Sequence, residues 1–414
     1  MPLMPKNFSV IVADTETGGL DPRRHPILTL SAIRCSDGAS FNTKIVPEPG
    51  MVVDEDALAV TGLDLADIKA NGVSERQAAE EFARFVQGDH VMAGCNFPFD
   101  QGFINAMYRR QGMPSPISHR CIDLQTAAWL AHEHGAIDLP VRYGVPLMNL
   151  DAVSEAFGLA RASHLHDSLE DVILTQQCID AAITSIKDSP GAAKPRTNLT
   201  FIDIETSGLN PDKHSILRIS ATRTSDGAIF DKWVRPEQGK WGDKKALEIN
   251  GVDVEFLKTN GEPLKDVLRE FSKFSAKGGP GLMAGCSVAF ELSFLDESCR
   301  RHGIRPPFAG KRIDLQSAAF VAHECGWINL SPGEKDGALG FSAIAKACGM
   351  DRERGAGRTP SDMELSVRCM EKCGRIPYSG VPAAGNGREE AAQPLLPIPK
   401  ITPVMAGREN APVR

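Results

Sequence analysis

Four apolar residues, Val10–Ala13, lead into Asp14-Thr15-Glu16-Thr17 and a Gly18-Gly19 turn, a pattern that predicts a buried strand ending in polar residues. Side chains alternate along a strand, so Asp14 and Glu16 leave it on the same face. Further period-two runs predict a second strand over Pro26–Arg34 and a third over Phe41–Val46, joined by a Ser36-Asp37-Gly38 hairpin. From Asp54 to Val86 the spacing of Leu58, Val60, Ile68, Phe82, Phe85 and Val86 predicts helices, broken near Thr61-Gly62 and Asn71-Gly72. A short strand over His90–Cys95, a helix over Asp100–Arg110, a strand over Arg120–Leu124 and helices through Ile186 follow. Three antiparallel strands and then strands alternating with helices predict an α/β fold, a mixed β-sheet flanked by helices.

The chain then repeats itself. FIDIETSGL from Phe201 restates the first strand, with Asp203 and Glu205 lying 189 positions beyond Asp14 and Glu16. VMAGCNFPFD from Val91 returns as LMAGCSVAFE from Leu282, and CIDLQTAAWLAHEHG from Cys121 as RIDLQSAAFVAHECG from Arg312, both 191 positions on. A near-constant offset of that size predicts two tandem copies of a whole domain. The expected organisation is a first domain over 1–188, a linker over 189–198, a second domain over 199–375 and a disordered tail over 376–414. One apolar knot in that tail, PLLPIPKI from Pro394, is a candidate docking motif for a partner.

Composition narrows the function classes. With 42% hydrophobic and 24% charged residues over 414 positions, the chain reads as a soluble globular protein. The formal net charge of −7 argues against a sequence-indifferent nucleic-acid coat and confines phosphate affinity to a local patch. No apolar run reaches membrane-spanning length and the N-terminus lacks a signal-peptide pattern, so a cytoplasmic protein is expected. Ten scattered cysteines without CxxC spacing fit reduced thiols rather than a disulfide frame or zinc site.

Two carboxylates on one strand face repel unless a proton or cation lies between them, and hard divalent ions take oxygen ligands. Asp100 opens a predicted helix. His166 and Asp171 stand in SHLHDSLEDVILT, with Asp171 expected to begin a helix and His166 in the loop or first turn before it. Four acids and one histidine, in the order Asp14, Glu16, Asp100, His166, Asp171, can hold two divalent ions about 3.5–4 Å apart and supply a proton acceptor. With DTETGGL, NFPFD (Asn96–Asp100) and HDSLEDVILT on the page, the chain resembles the DnaQ-like 3′→5′ exonucleases of the DEDDh subclass. Ser168 and Val172 depart from the alanines usual in the last motif.

The resemblance implies a ribonuclease-H-like exonuclease fold and two Mg²⁺ or Mn²⁺ ions. It also implies release of mononucleotides from single-stranded 3′ ends of DNA or RNA. Asp14, Glu16, Asp100 and Asp171 would be metal ligands and His166 the general base. Thr17 would lie near the terminal nucleotide, and Asn96 and Arg109 are candidate substrate contacts. For Arg109 a solvated helix end is the alternative. His132 reads as structural, because AHE recurs in the second copy.

That second copy departs from the pattern. It keeps Asp203 and Glu205, has Glu291 for Asp100, and across an assumed two-residue insertion places Thr359 at His166 and Glu364 at Asp171. The expectation is an inactive or weak second site whose domain pairs with the first, within the chain or in a homodimer. Two other readings use the same residues: a non-catalytic nucleic-acid-binding scaffold, and a phosphoesterase acting on small nucleotides.

Overall fold

A computed structural model describes residues 9–160, 167–237, 254–277, 282–306, 311–331, 338–351 and 359–378, and within 238–253 only 239, 242, 247 and 252. The first half builds a six-stranded sheet from β1 (Ser9–Thr17), β2 (Ile27–Arg34), β3 (Ser40–Val46), β4 (Val73–Ser74), β5 (His90–Gly94) and β6 (Cys121–Asp123), in the order β4-β3-β2-β1-β5-β6. β2 runs antiparallel to β1 and β3, while β5 runs parallel to β1 and β6. A small ribbon, β7 (Val141–Arg142) with β8 (Val145–Pro146), precedes the second half. There β9 (Leu199–Thr206), β10 (Ile216–Arg223), β11 (Ile229–Arg235), β12 (Glu262–Pro263), β13 (Leu282–Gly285) and β14 (Arg312–Asp314) repeat the order as β12-β11-β10-β9-β13-β14. Each half therefore has the expected mixed sheet flanked by helices. Among the described residues no helix is long and apolar enough to cross a membrane.

Burial explains how the halves meet. The helix Leu124–Glu133 is buried along its whole length, and Leu315–Glu324 nearly so, and the two pack on one another. Helices apolar on every side need a neighbour on every side. Two reciprocal hydrogen bonds cross the seam: the Asp123 N–H donates to Ser317 Oγ at 2.9 Å, and the Asp314 N–H to Thr126 Oγ1 at 3.0 Å. Each donor and acceptor is the other's counterpart 191 positions away. The seam is thus self-complementary, in the manner of a two-fold interface. One hydrophobic cluster runs through it from Trp129 and Ile179 to Phe320 and Met370.

The segment expected as a linker packs down rather than spanning open solvent. Its Arg196 N–H donates to Glu133 Oε2 at 2.6 Å, the Thr197 hydroxyl to the same carboxylate, and the Trp129 indole N–H to Thr197 Oγ1 at 3.0 Å. Ile376 and Tyr378, expected to open the disordered tail, are buried, at 1% and 2% exposure. Residues 379–414, including the docking motif, lie outside the described residues. Two helices start earlier than their apolar periodicity suggested. One covers Phe97–Arg110 and the other Ser168–Ile186, where the Asp167 carboxylate accepts from the Leu169 and Glu170 N–H groups. For the second of these a polar capping residue, not the first apolar residue, sets the start.

Glu133 ties the inter-half segment to the core, and its burial pushes its carboxyl up to about 7 against the pull of the Arg196 N–H. The folded state then holds a proton that the unfolded chain releases above about 4.5. Stability from this group is full below that value, falls as pH rises to about 7, and stays low beyond. Glu133→Gln should therefore show a smaller drop in Tm between pH 4.5 and pH 8 than wild type, measured by thermal unfolding. An equal drop in both proteins would refute this role.

Candidate active site

The site forms where β1 and β5 part. Their ladder runs only from Ser9 and His90 to Val12 and Ala93. Beside it, a Cβ on Gly94 would come within 2.9 Å of the Ala13 carbonyl oxygen, so only glycine lets the strands lie this close. Past that point, Asp14 and Glu16 of β1 meet Asp171 from the first turns of the Ser168–Ile186 helix. One carboxylate oxygen from each lies within 4.8 Å of the other two. Glu16 and Asp171 are buried and Asp14 half-buried.

A polar clasp that the sequence reading missed brings Asp171 there. In the β1–β2 ladder Asp14 faces Ser31 and Glu16 faces Thr29, so all four side chains share a face. Ser168, the first residue of the Asp171 helix, lies with its Oγ 2.9 Å from Thr29 Oγ1 and 2.7 Å from Ser31 Oγ. The Ser31 hydroxyl also donates to Asn42 Oδ1 at 3.1 Å. Ser168 thus docks the helix onto β2 and delivers Asp171, three residues on, to the β1 acids. The alternating Thr29 and Ser31 within the otherwise apolar run ILTLSAI carried that signal.

Asp100 is held differently and does not join the three-acid group. Its Oδ1 accepts from the Thr15 N–H at 2.9 Å and from the Thr15 hydroxyl at 2.6 Å. Burial drives its carboxyl up to about 7, with the Thr15 bonds opposing that rise. Hard oxygen donors crowded into a low-dielectric pocket fit a divalent cation, which would replace the protons such groups otherwise retain. Asp14, Glu16 and Asp171 are the residues placed to hold it. His166 falls in 161–166, outside the described residues.

The remaining candidates are placed as follows. The Thr17 hydroxyl donates to the Gly19 carbonyl at 2.8 Å, which commits its proton to the turn. Asn96 precedes the Phe97–Arg110 helix in a left-handed conformation, φ 61°, and accepts a bond from Arg312 of the second half. Arg109 is exposed and lines a cleft of about 1120 Å³ between the halves, with Arg23, Asp123, Ser287 and Arg312. His132 accepts the Leu139 N–H through Nδ1 at 3.2 Å, and His323 accepts that of Leu330 at 3.2 Å, so both histidines act in the framework.

The second half corrects two expectations. Asp171, Val172, Thr175, Cys178 and Ile179 are buried on their helix. At 191 positions on, Asp362, Met363, Ser366, Cys369 and Met370 are buried on the helix Thr359–Gly374, whereas Glu364 is only half-buried. The stripe packed on the sheet sets the register. Asp362 therefore stands at the place of Asp171, no insertion intervenes, and Gly357 rather than Thr359 takes the place of His166. Asp362 and Asp203 line one pocket of about 230 Å³ together with His119 and Arg120 of the first half. Glu291 is buried, and burial, together with the nearby Asp203 charge, holds its carboxyl well above the usual range.

What differs most is a cation. Arg218 occupies the position of Thr29, directly across the ladder from Glu205, and is 2% exposed. Its Nε and Nη2 donate to Asp231 at 2.8 and 2.7 Å, and its guanidinium lies 4.3 Å above the Trp233 ring. Among the described residues, three acids gather within 4.8 Å in the first half alone.

A family model described as exonuclease (RNase_T) matches residues 11–177 and 200–320. The chain is 34% identical over 177 residues to the PolC-type DNA polymerase III of Streptococcus suis, covering 40% of this chain and 12% of that protein. It is 26% identical over 179 residues to Ribonuclease T of Marinobacter nauticus, covering 39% of this chain and 81% of that one. An Escherichia coli exonuclease I structure in complex with a dT13 oligonucleotide aligns with 90% of this chain and 89% of its own, at 13% identity and a TM-score of 0.41.

A divalent cation held by the three acids should stabilise the fold by mass action, about 2.7 kcal/mol at a hundred times its Kd. Mg²⁺ or Mn²⁺ should therefore raise the Tm of wild type and of Asp203→Asn, but not that of Asp171→Asn. An equal rise in all three would place the binding elsewhere.

Proposed function

The chain belongs to the RNase_T exonuclease family, and from that premise we propose that its first half is a 3′→5′ exonuclease acting on single-stranded nucleic-acid ends. The observation that carries this reading is the convergence of Asp14, Glu16 and Asp171 within 4.8 Å on a strand end and a helix start. Asp100, which stands outside that trio with one oxygen held by Thr15, is the fourth acid that the family resemblance assigns to the set. Two Mg²⁺ or Mn²⁺ ions, when held there, would supply an activated water and stabilise the leaving oxygen. His166, two residues before the Ser168 clasp, takes the proton from that water. Its role comes from the family resemblance, and a neutral imidazole near pH 7 suits it. Arg109, exposed on the cleft wall, is the candidate phosphate contact.

The second half takes a supporting role in this reading. It keeps Asp203, Glu205 and Asp362, but Arg218 stands across the ladder from Glu205 and no histidine stands at residue 357. A buried guanidinium directly across the ladder from Glu205 disfavours an incoming divalent ion there. The sequence relatives point toward both polymers, the polymerase by its name toward DNA and Ribonuclease T toward RNA, so each is tested.

5′-labelled single-stranded DNA and RNA should shorten stepwise from the 3′ end with Mg²⁺ or Mn²⁺. Asp14→Ala should abolish this and Asp203→Ala should retain it. His166→Ala should slow it by about 10²–10⁴-fold. If wild type leaves both polymers intact in either metal, the enzyme reading fails and a binding scaffold takes its place.

A further inference from the structure

We propose that the second half sets the geometry of the first half's site through Arg312, a positioning residue that holds Asn96; this rests on the exonuclease reading above. Arg312 opens β14, yet its guanidinium leaves its own half. Its Nη2 donates to Asn96 Oδ1 at 2.7 Å, and its Nε lies 3.9 Å from Asp123 Oδ2. Asp123 in turn accepts the Asn96 N–H through Oδ1 at 2.9 Å. Asn96 is therefore clasped at its backbone by the first half and at its side chain by the second.

Two consequences follow from the chemistry. A guanidinium offers only donors, so it must take the oxygen edge of the Asn96 amide. That fixes the amide's orientation and leaves its two N–H donors for an acceptor, the polarity that a phosphate or sugar oxygen of a nucleotide requires. The clasp also holds a residue at φ 61° from which the Phe97–Arg110 helix departs, and Asp100 lies four residues on. Cys95, the preceding residue, lies close enough to Asp14 and Asp100 for their charges to raise its thiol, after burial and Asp123. The charge of Lys311, next to Arg312, acts on Cys95 and Asp123 in the opposite sense.

The clasp runs one way. The two-fold counterpart of Asn96 is Ser287, which has the same backbone, φ 66°, and donates its N–H to Asp314 Oδ1 at 3.2 Å. The counterpart of Arg312 is Cys121, a buried thiol that carries no guanidinium. A device needed only to start the helix would serve both halves. It serves the half whose three acids gather.

The test is a double-mutant cycle on the full chain. Arg312→Ala and Asn96→Ala should each lower kcat/KM for 3′-terminal release by about tenfold to a hundredfold, the range for a charge-assisted hydrogen bond. The double variant should be no slower than Asn96→Ala alone, since Arg312 acts through Asn96. Wild-type kcat/KM in Arg312→Ala, or losses that multiply, would overturn the proposal. Arg312→Lys, which keeps the charge without the planar fork, replaces the alanine variant if that does not fold, and the same non-additivity is required of it. In ¹⁵N-labelled protein the Asn96 side-chain NH₂ signals, identified by their loss in Asn96→Ala, should shift in the Arg312 variant; unchanged signals would refute the clasp. Should wild type hydrolyse nothing, the exonuclease reading falls while these signals still decide whether Arg312 orients Asn96.

Discussion

Confining several carboxylates to one small volume is the constraint on which the rest of this structure depends. Asp14 and Glu16 are neighbours by strand geometry, but Asp171 comes from a helix more than 150 residues further along the chain. Mutual repulsion would drive such groups apart unless the framework resists it or a cation compensates it. The framework resists with neutral hydroxyls: Ser168 on Thr29 and Ser31 pins the helix start, and Thr15 pins Asp100. Hydroxyls orient without cancelling charge, so negative potential stays available for an external ion.

The second half meets the same constraint with a different solution. It presents Asp203, Glu205 and Asp362 from equivalent positions, but a buried arginine replaces the threonine across the ladder. The exchange is concerted. Asn42 of the first half corresponds to Asp231, which clamps the guanidinium, and Lys44 corresponds to Trp233, which stacks beneath it. A buried charge needs a partner, and here the partners sit on the adjacent strand.

Much of the architecture was legible because period-two runs and Gly-bearing turns mark strands and hairpins locally, and because the repeat states the pattern twice. The acids Asp14 and Glu16 were legible for the same reason, as strand alternation alone puts them on one face. Their supports were not. Thr29, Ser31 and Ser168 look like ordinary polar positions until the hairpin register and helix docking bring them together. The Glu364 assignment failed because the loop before that helix offers no motif to anchor a pairing, and only the buried stripe from Met363 to Met370 reveals the register. Arg312 could not have been found from its own segment, since its partner stands 216 positions away.

A two-fold seam explains how a half that lost one set of features can still serve the other. The Leu124–Glu133 and Leu315–Glu324 helices bury one another, so neither half can discard its partner without exposing a continuous apolar surface. Once that packing is obligatory, substitutions beside the seam need not be symmetric. Cys121 and Arg312 occupy equivalent places, yet Arg312 carries a guanidinium that bonds Asn96 of the other half where Cys121 carries a thiol. Packing keeps the second half in place, and the asymmetric side chains along the seam give it influence over the corner where Asn96, Asp123 and the Asp100 helix meet.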